Sequence, residues 1–397
     1  MITKFKVESF KSIESAEIEL GNINVFIGAN GSGKSNLLEA LGTLAAAAYG
    51  RVDEESLIRR GTRPGGIFKP MFRETPLKEN SMLEAEGGGG GYHVELASPA
   101  SGQKNWAYRR EHWNSSTGNI VGRTSERKDF PSKGDPEIGL AALKMAETDV
   151  NDPAAIFLKT LSSFSIYAPD SAILRGLMQD PQIREPVGLA GGRLGDAIRE
   201  ITIGGESQMD LYFRLREELH ESLQWFEDFY PIPPGDKNVF RPANFALLFS
   251  DRYFYRKNGE IPWSLLSMNE VNEGALYFLF VTALCLHPAS PKLFALDNAD
   301  HGLNPLLAKR LMTTMCRWLL EETGPRQVLM TTHNPLVLDG LPLQDDRVRL
   351  FIVERDNRGT TQVRRFKITE KEISKAKEGW TLSRMWVNGL LGGVPNV

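Results

Sequence analysis

An α/β fold is what this 397-residue sequence predicts: a mixed central sheet flanked by helices, with an inserted helical subdomain. Three observations predict it. The apolar run Ile23-Asn24-Val25-Phe26-Ile27 leads straight into Gly28-Ala29-Asn30-Gly31-Ser32-Gly33-Lys34-Ser35, and Asn36-Leu37-Leu38-Glu39-Ala40-Leu41 leaves it with helical spacing. A second apolar run, Leu293-Phe294-Ala295-Leu296, ends in a carboxylate, Asp297. A third, Gln327-Val328-Leu329-Met330-Thr331, delivers Thr332-His333-Asn334. Near-continuous apolar runs of this length read as strands buried on both faces, and ligands of open α/β sheets sit at the carboxyl ends of such strands.

The elements follow in order. Residues 1–27 alternate apolar Phe5, Val7, Phe10, Ile13, Ile18 and Leu20 with polar positions, which predicts strands. From about 60 to 135 the chain is rich in Gly, Pro, Ser and charge, with the run Gly87–Gly91 before the alternating His93-Val94-Glu95-Leu96; strands and loops with a flexible tip are expected. Residues 136–162 and 171–230 read as largely helical, separated by the strand-like Phe164-Ser165-Ile166-Tyr167 and interrupted by Gly188–Gly195. From 244 onward strands and helices alternate again, with a last buried strand at Val348–Val353. This reading places an amino-terminal lobe at 1–170, an inserted helical subdomain at 171–240 and a carboxy-terminal lobe at 241–397.

Composition narrows the class. A net charge of −3 lacks the overall basic signature of a nucleic-acid binder and leaves room for a local basic patch. Cys285 and Cys316 lie in apolar helical contexts without metal-ligand spacing, as buried thiols of a reducing compartment do. The start Met1-Ile2-Thr3-Lys4-Phe5-Lys6 has no apolar signal-peptide core, and no run approaches the ~18 apolar residues of a membrane span. A cytoplasmic protein without membrane contact is expected.

The stretch Gly28–Ser35 fits G-x-x-x-x-G-K-[ST], so the chain should hold a nucleoside triphosphate, ATP, with Mg2+. Backbone N–H groups around Asn30, Gly31, Ser32 and Gly33 would close on the phosphates, and the helix entered through Lys34, Ser35 and Asn36 adds its positive end. Lys34 would reach the outer phosphates and Ser35 would put a hydroxyl on the metal. Asp297 completes the metal site as the acidic strand-end partner; read alone, it serves equally well as a helix cap. His333 arrives at the same sheet edge, where it can sense the γ-phosphate or simply cap a turn.

Together, Phe10-Lys11-Ser12-Ile13, Gly28–Ser35, Asn272-Glu273-Gly274 before a long apolar helix, Asp297 to Pro305 and Thr332-His333-Asn334-Pro335 carry a resemblance. The chain resembles the ABC-type ATPase heads of the RecF, structural-maintenance-of-chromosomes and overcoming-lysogenization-defect group, over roughly residues 1–60 and 240–355. The resemblance implies a P-loop NTPase of ABC-ATPase type and two heads sandwiching two ATP molecules. It makes Asn272, Glu273 and Gly274 the signature facing the partner's γ-phosphate, His301 to Asn304 the dimer loop and His333 the switch histidine.

Two positions depart from that pattern. The group normally has Glu after the magnesium Asp, whereas this chain has Asn298; an amide orients water but does not take its proton, so hydrolysis should lose the ~10²–10⁴ of a general base. Asp300 is either a substitute base or a solvated turn carboxylate. The signature has Asn272 where serine is usual. Asn298 and Asn304-Pro305, with Leu382–Trp386 and Gly389–Pro395, are similar to ATPase subunits of bacterial anti-phage systems such as the Septu ATPase. That similarity implies a separately encoded effector, a nuclease or toxin. Trp380 and Trp386 would dock that partner or pack on their own lobe. DNA is the competing partner, with Arg59-Arg60, Arg109-Arg110 and Arg364-Arg365-Lys367 as candidate contacts.

Overall fold

A computed structural model describes residues 1–64, 80–97, 105–115, 118–124, 135–203, 205–235, 244–254, 265–322, 324 and 326–393. They form β1 (Lys4–Phe10), β2 (Ile13–Glu19), β3 (Ile23–Ile27), α1 (Lys34–Tyr49), α2 (Glu54–Ile58), β4 (Asn80–Gly87), β5 (Gly90–Ala97), β6 (Ala107–Ser115) and β7 (Gly118–Thr124). Next come α3 (Leu140–Met145), α4 (Pro153–Ser162), β8 (Ile166–Tyr167), α5 (Ser171–Leu174), α6 (Leu194–Ile203), α7 (Glu206–Ser222), β9 (Phe226–Ile232), β10 (Ala246–Asp251), β11 (Leu266–Ser267) and α8 (Glu273–Leu286). The chain continues through β12 (Leu293–Leu296), α9 (Pro305–Arg317), β13 (Gln327–Thr332), a 3-10 turn at Pro335–Gly340, β14 (Val348–Arg355), β15 (Thr361–Phe366), α10 (Glu370–Lys377) and α11 (Leu382–Val387).

Two compact units result, one of residues 1–166, 291–299 and 324–397, the other of 167–290 and 300–323. The division differs from the expected three segments, because the chain leaves the first unit after β8 and returns for β12 alone before leaving again.

The first unit packs α1 between two sheets. One is antiparallel, in the order β2-β1-β4-β5-β6-β7; its alternating Phe5, Val7, Leu83, Ala85, Tyr92, Val94 and Trp113 are buried. The glycine run 87–91 makes the tight β4–β5 connection, with Gly87 opposite Gly90. The other sheet is mixed, in the order β15-β14-β3-β13-β12-β8. Its β14, β3, β13 and β12 are mutually parallel and β15 is antiparallel. Because α1 meets both sheets, Leu37, Leu38, Leu41 and Leu44 are all buried, each contributing about 1.5–3 kcal/mol. Parallel pairing aligns Ile27 with Thr332 and Leu296 with Met330, which brings the ends of β3, β13 and β12 to one edge.

The second unit gathers α5, α6, α7 and α9 around α8, whose residues from Gly274 to Leu286 are all buried, as befits a helix apolar on every side. Glu218 on α7 holds Arg310 and Arg317 of α9, and Arg310 also meets Glu221. The expected helical stretch 171–230 is corrected here. Residues 175–193 are irregular, organised by the Asp180 carboxylate accepting the N–H groups of Gln182, Ala190 and Gly192. Phe226–Ile232 is a strand, because its aromatic-rich sequence pairs with β10, which in turn pairs with β11 in a three-stranded sheet. Cys285 and Cys316 are free and buried. Among the described residues no helix is long and apolar enough to cross a membrane.

Candidate functional site

Strand β3 is buried at all five positions and ends at Ile27, so the loop from Gly28 to Gly33 is presented at the sheet edge with α1 starting behind it. Gly28 is required by close approach: a Cβ there would lie 2.0 Å from the Val353 carbonyl oxygen. No side chain caps α1 at Gly33, and no acid occupies its first turn. An uncapped first turn leaves backbone donors and a partial positive charge for an anion. Lys34, buried at the mouth, donates from Nζ to the carbonyls of Gly28 (2.8 Å) and Ala29 (2.9 Å) and lies 3.4 Å from His333 Nδ1. The Ser32 hydroxyl is buried without a hydrogen-bond partner. A buried orphan hydroxyl beside an ammonium and an uncapped helix end fits a phosphate group.

The metal side is equally compact. Asp297 Oδ1 accepts from Ser35 Oγ at 3.0 Å and from Thr331 Oγ1 at 2.5 Å. One hydroxyl and one carboxylate, with phosphate oxygens and water for the remainder, are what Mg2+ takes at nucleotide sites. No cluster of three or more acidic, His or Cys residues suited to a metal occurs among the described residues. Asn298 turns through φ 55°, a left-handed conformation that asparagine tolerates, and its N–H donates to Thr331 Oγ1 at 2.8 Å. Thr331 therefore orients both neighbours of the site. Sequence reasoning passes over it because a threonine ending an apolar strand carries no motif.

Other residues brace the loop, some of them, such as Thr361 and Glu39, without a signal in the sequence. Asn36 donates to Ser12 Oγ at 2.6 Å, Ser12 Oγ lies 2.7 Å from Thr361 Oγ1, and Thr361 Oγ1 donates to the Ser32 carbonyl at 2.9 Å. The Asn36 side chain is thus turned to Ser12. Lys11 and Arg63 both pair with the buried Glu39 of α1. Burial pulls the Lys11 ammonium below its ordinary range despite Glu39, while the Glu39 carboxylate and, less strongly, Asp297 raise the Arg63 guanidinium. Asn30 and Gly31 form the exposed rim, where the Gly31 carbonyl accepts from Arg355 Nε at 2.7 Å.

Asn272, Glu273 and Gly274 lie in the second unit. Asn272 caps α8 by accepting the Ala275 N–H at 2.8 Å, and Glu273 Oε1 lies 3.3 Å from His301 Nε2. Asn304 caps α9 through the Leu307 N–H at 2.9 Å, with Pro305 at the first helical position. Asp300 belongs to this unit and opens the turn closed by the Leu303 N–H. The structure thus brings Lys34, Ser35, Asp297 and His333 together in the first unit.

Most members of the basic pairs are engaged within the chain. Arg60 is buried and donates to the carbonyls of Ser56 and Ser162, Arg59 pairs with Glu55 and Arg110 with Glu95. Arg364 donates to the Leu391 carbonyl and Arg365 pairs with Asp346.

Residues 1–68 match the family described as "AAA ATPase domain", and residues 159–339 match "AAA domain, putative AbiEii toxin, Type IV TA system". The DNA replication and repair protein RecF of Renibacterium salmoninarum is 40% identical over 76 residues, 19% of each chain. The DNA double-strand break repair Rad50 ATPase of Saccharolobus solfataricus is 34% identical over 74 residues, 18% of this chain and 9% of the relative. The matched stretches therefore span a small part of those relatives. An SMC head solved bound to the C-winged helix domain of ScpA is 12% identical with TM-score 0.53, over 94% of this chain and 99% of that chain, a likeness of fold alone. The loop, the strand-end carboxylate and the histidine at one sheet edge agree with these likenesses: the chain has a P-loop NTPase fold of the kind seen in SMC heads and is similar over short stretches to the RecF and Rad50 ATPases.

Proposed function

We propose that this ATPase head uses ATP occupancy as a switch, hydrolysing slowly, as the regulatory or sensor subunit of a bacterial anti-phage defence complex whose nuclease or toxin effector is a separate protein. The observation that carries the switch is Asn298. It follows the Asp297 carboxylate directly, its backbone is turned left-handed, and it presents an amide where a base would take a proton. Bound Mg2+–ATP would supply the phosphoryl group. Lys34 would give up its two carbonyl partners for phosphate oxygens, Ser35 and Asp297 would hold the ion, and His333 would stand beside the Lys34 ammonium. Asn272, Glu273 and Gly274 would meet the nucleotide of a second head, which makes the working form a homodimer or larger. The toxin-system wording of the family matched by 159–339 supports the defence setting.

The RecF and Rad50 relatives favour a second reading, a DNA-repair head that clamps duplex DNA. The internal engagement of Arg60, Arg364 and Arg365 weighs against that reading.

Steady-state ATP hydrolysis and nucleotide binding of the native chain, Lys34→Ala and Asn298→Asp test the proposal. Aspartate tolerates the left-handed turn, so it introduces a base with little strain. The switch predicts ATP binding, turnover near that of Lys34→Ala, and acceleration of roughly tenfold or more by Asn298→Asp. Brisk native turnover that Asn298→Asp does not raise overturns it, and turnover stimulated by DNA moves the repair reading ahead.

A further inference from the structure

Segment 381–393 is fastened to both sides of the nucleotide edge within the first unit. At one end Asp339, in the 3-10 turn that follows His333, accepts the N–H (2.9 Å) and the hydroxyl (2.6 Å) of Ser383 at the start of α11. Asn334 caps that same turn through the Leu336 N–H at 3.0 Å, so a short run of bonds links Ser383 to the residue after His333. At the other end the Gly393 N–H is held by Glu354 on β14, and the Leu391 carbonyl by Arg364 on β15. Between them Trp386 is only 5% exposed, and its indole N–H has no hydrogen-bond partner. Gly393 comes closest to the loop: a Cβ there would lie 2.9 Å from Ile352 Cγ2, 3.5 Å from Gly28 Cα and 3.7 Å from Trp386 Nε1. Ile352 is the register partner of Ile27, the residue that launches the phosphate loop.

We infer that segment 381–393 is a positioning element of the ATP site, with Gly393 supporting the floor of the phosphate loop at Gly28 and Ser383 steadying the turn behind His333. The inference rests on ATP binding at Gly28–Ser35. Its physical basis is that the loop leaves Gly28 with no side chain to pack, so whatever lies under that Cα sets how far the loop can settle when its carbonyls exchange Lys34 for phosphate. These residues act through the loop and touch no reacting atom.

Two glycines of the segment provide a matched test. Gly389 and Gly393 have nearly the same left-handed backbone, φ 74° and 73°, but a Cβ at Gly389 meets nothing within 4 Å. Alanine at either position adds the same local strain; only at 393 does it press on Ile352, the register partner of Ile27, and place a methyl in van der Waals contact with Gly28. Binding of a fluorescent ATP analogue to the full chain is the measurement, with thermal unfolding of the nucleotide-free proteins alongside. Gly393→Ala is expected to weaken ATP binding about three- to tenfold more than Gly389→Ala, an ordinary size for coupled positions. Equal affinities in the two variants overturn the inference, as they would for a segment that only stabilises the fold. Absence of ATP binding by the native chain instead overturns the reading of the site itself. Should Gly393→Ala not fold, Trp386 reports on the same contact: ATP changes an emission component of the native chain that Trp386→Phe lacks, and identical changes in both proteins overturn the inference.

Discussion

The helices α1 and α8 begin in opposite ways. α1 starts at Gly33 with no side-chain cap and no acid in its first turn, whereas α8 carries Asn272 on the Ala275 N–H and Glu273 in its first turn. A side-chain cap satisfies one of the orphan donors and stabilises the helix by about 1 kcal/mol. An uncapped one forgoes that and keeps its donors for something else. The contrast teaches that the start of α1 keeps donors that can serve an anion, while the start of α8 spends one of its donors on a cap. The Asn272 side chain can then offer a phosphate only its amide nitrogen, since its Oδ1 is committed to the cap.

The largest expected effect is at the open end. Lys34→Ala removes the buried ammonium beside the loop and should weaken ATP binding by roughly tenfold to a hundredfold, the loss of a charge-assisted bond, as read by titration with a fluorescent analogue. Unchanged affinity would break the comparison outright. Asp297→Asn comes next. It leaves the Ser35 and Thr331 hydroxyls a neutral acceptor but removes the charge for Mg2+, so chelating the metal should weaken ATP binding by the native chain and hardly affect the variant. A variant that stays as metal-dependent as the native chain would locate the ion elsewhere. The smallest effect belongs to the closed end. Asn272→Ala should lower unfolding stability by about 0.5–2 kcal/mol in denaturant titration and leave ATP affinity of isolated heads unchanged. A large loss of that affinity would show that the two ends are not as different as their caps.

Much of the nucleotide edge is legible in the sequence. The phosphate loop, Asp297 and His333 each sit at the end of an apolar run, and strands 293–296, 327–332 and 348–355 follow the runs that announce them. The helical subdomain is less legible, because the strand Phe226–Ile232 follows directly on the polar end of α7 and its pairing partner, β10, begins only at Ala246. The sequence leaves the fate of Trp386 open; the structure buries it within its own unit.

What the sequence determined by itself is local chemistry. Glycine spacing, a lysine and a hydroxyl in eight consecutive residues specify a phosphate cradle wherever a strand and a helix flank it, because the bonds involved span only a few residues. What only the tertiary structure decided is how that cradle is held. Thr331 joining Asp297 to Asn298, Thr361 reaching Ser12 and Ser32, and Gly393 held by Glu354 connect residues from 33 to hundreds of positions apart. Such contacts leave no periodicity or spacing in the chain, since they depend on which strands become neighbours, and strand order is set by the packing of the whole sheet around α1.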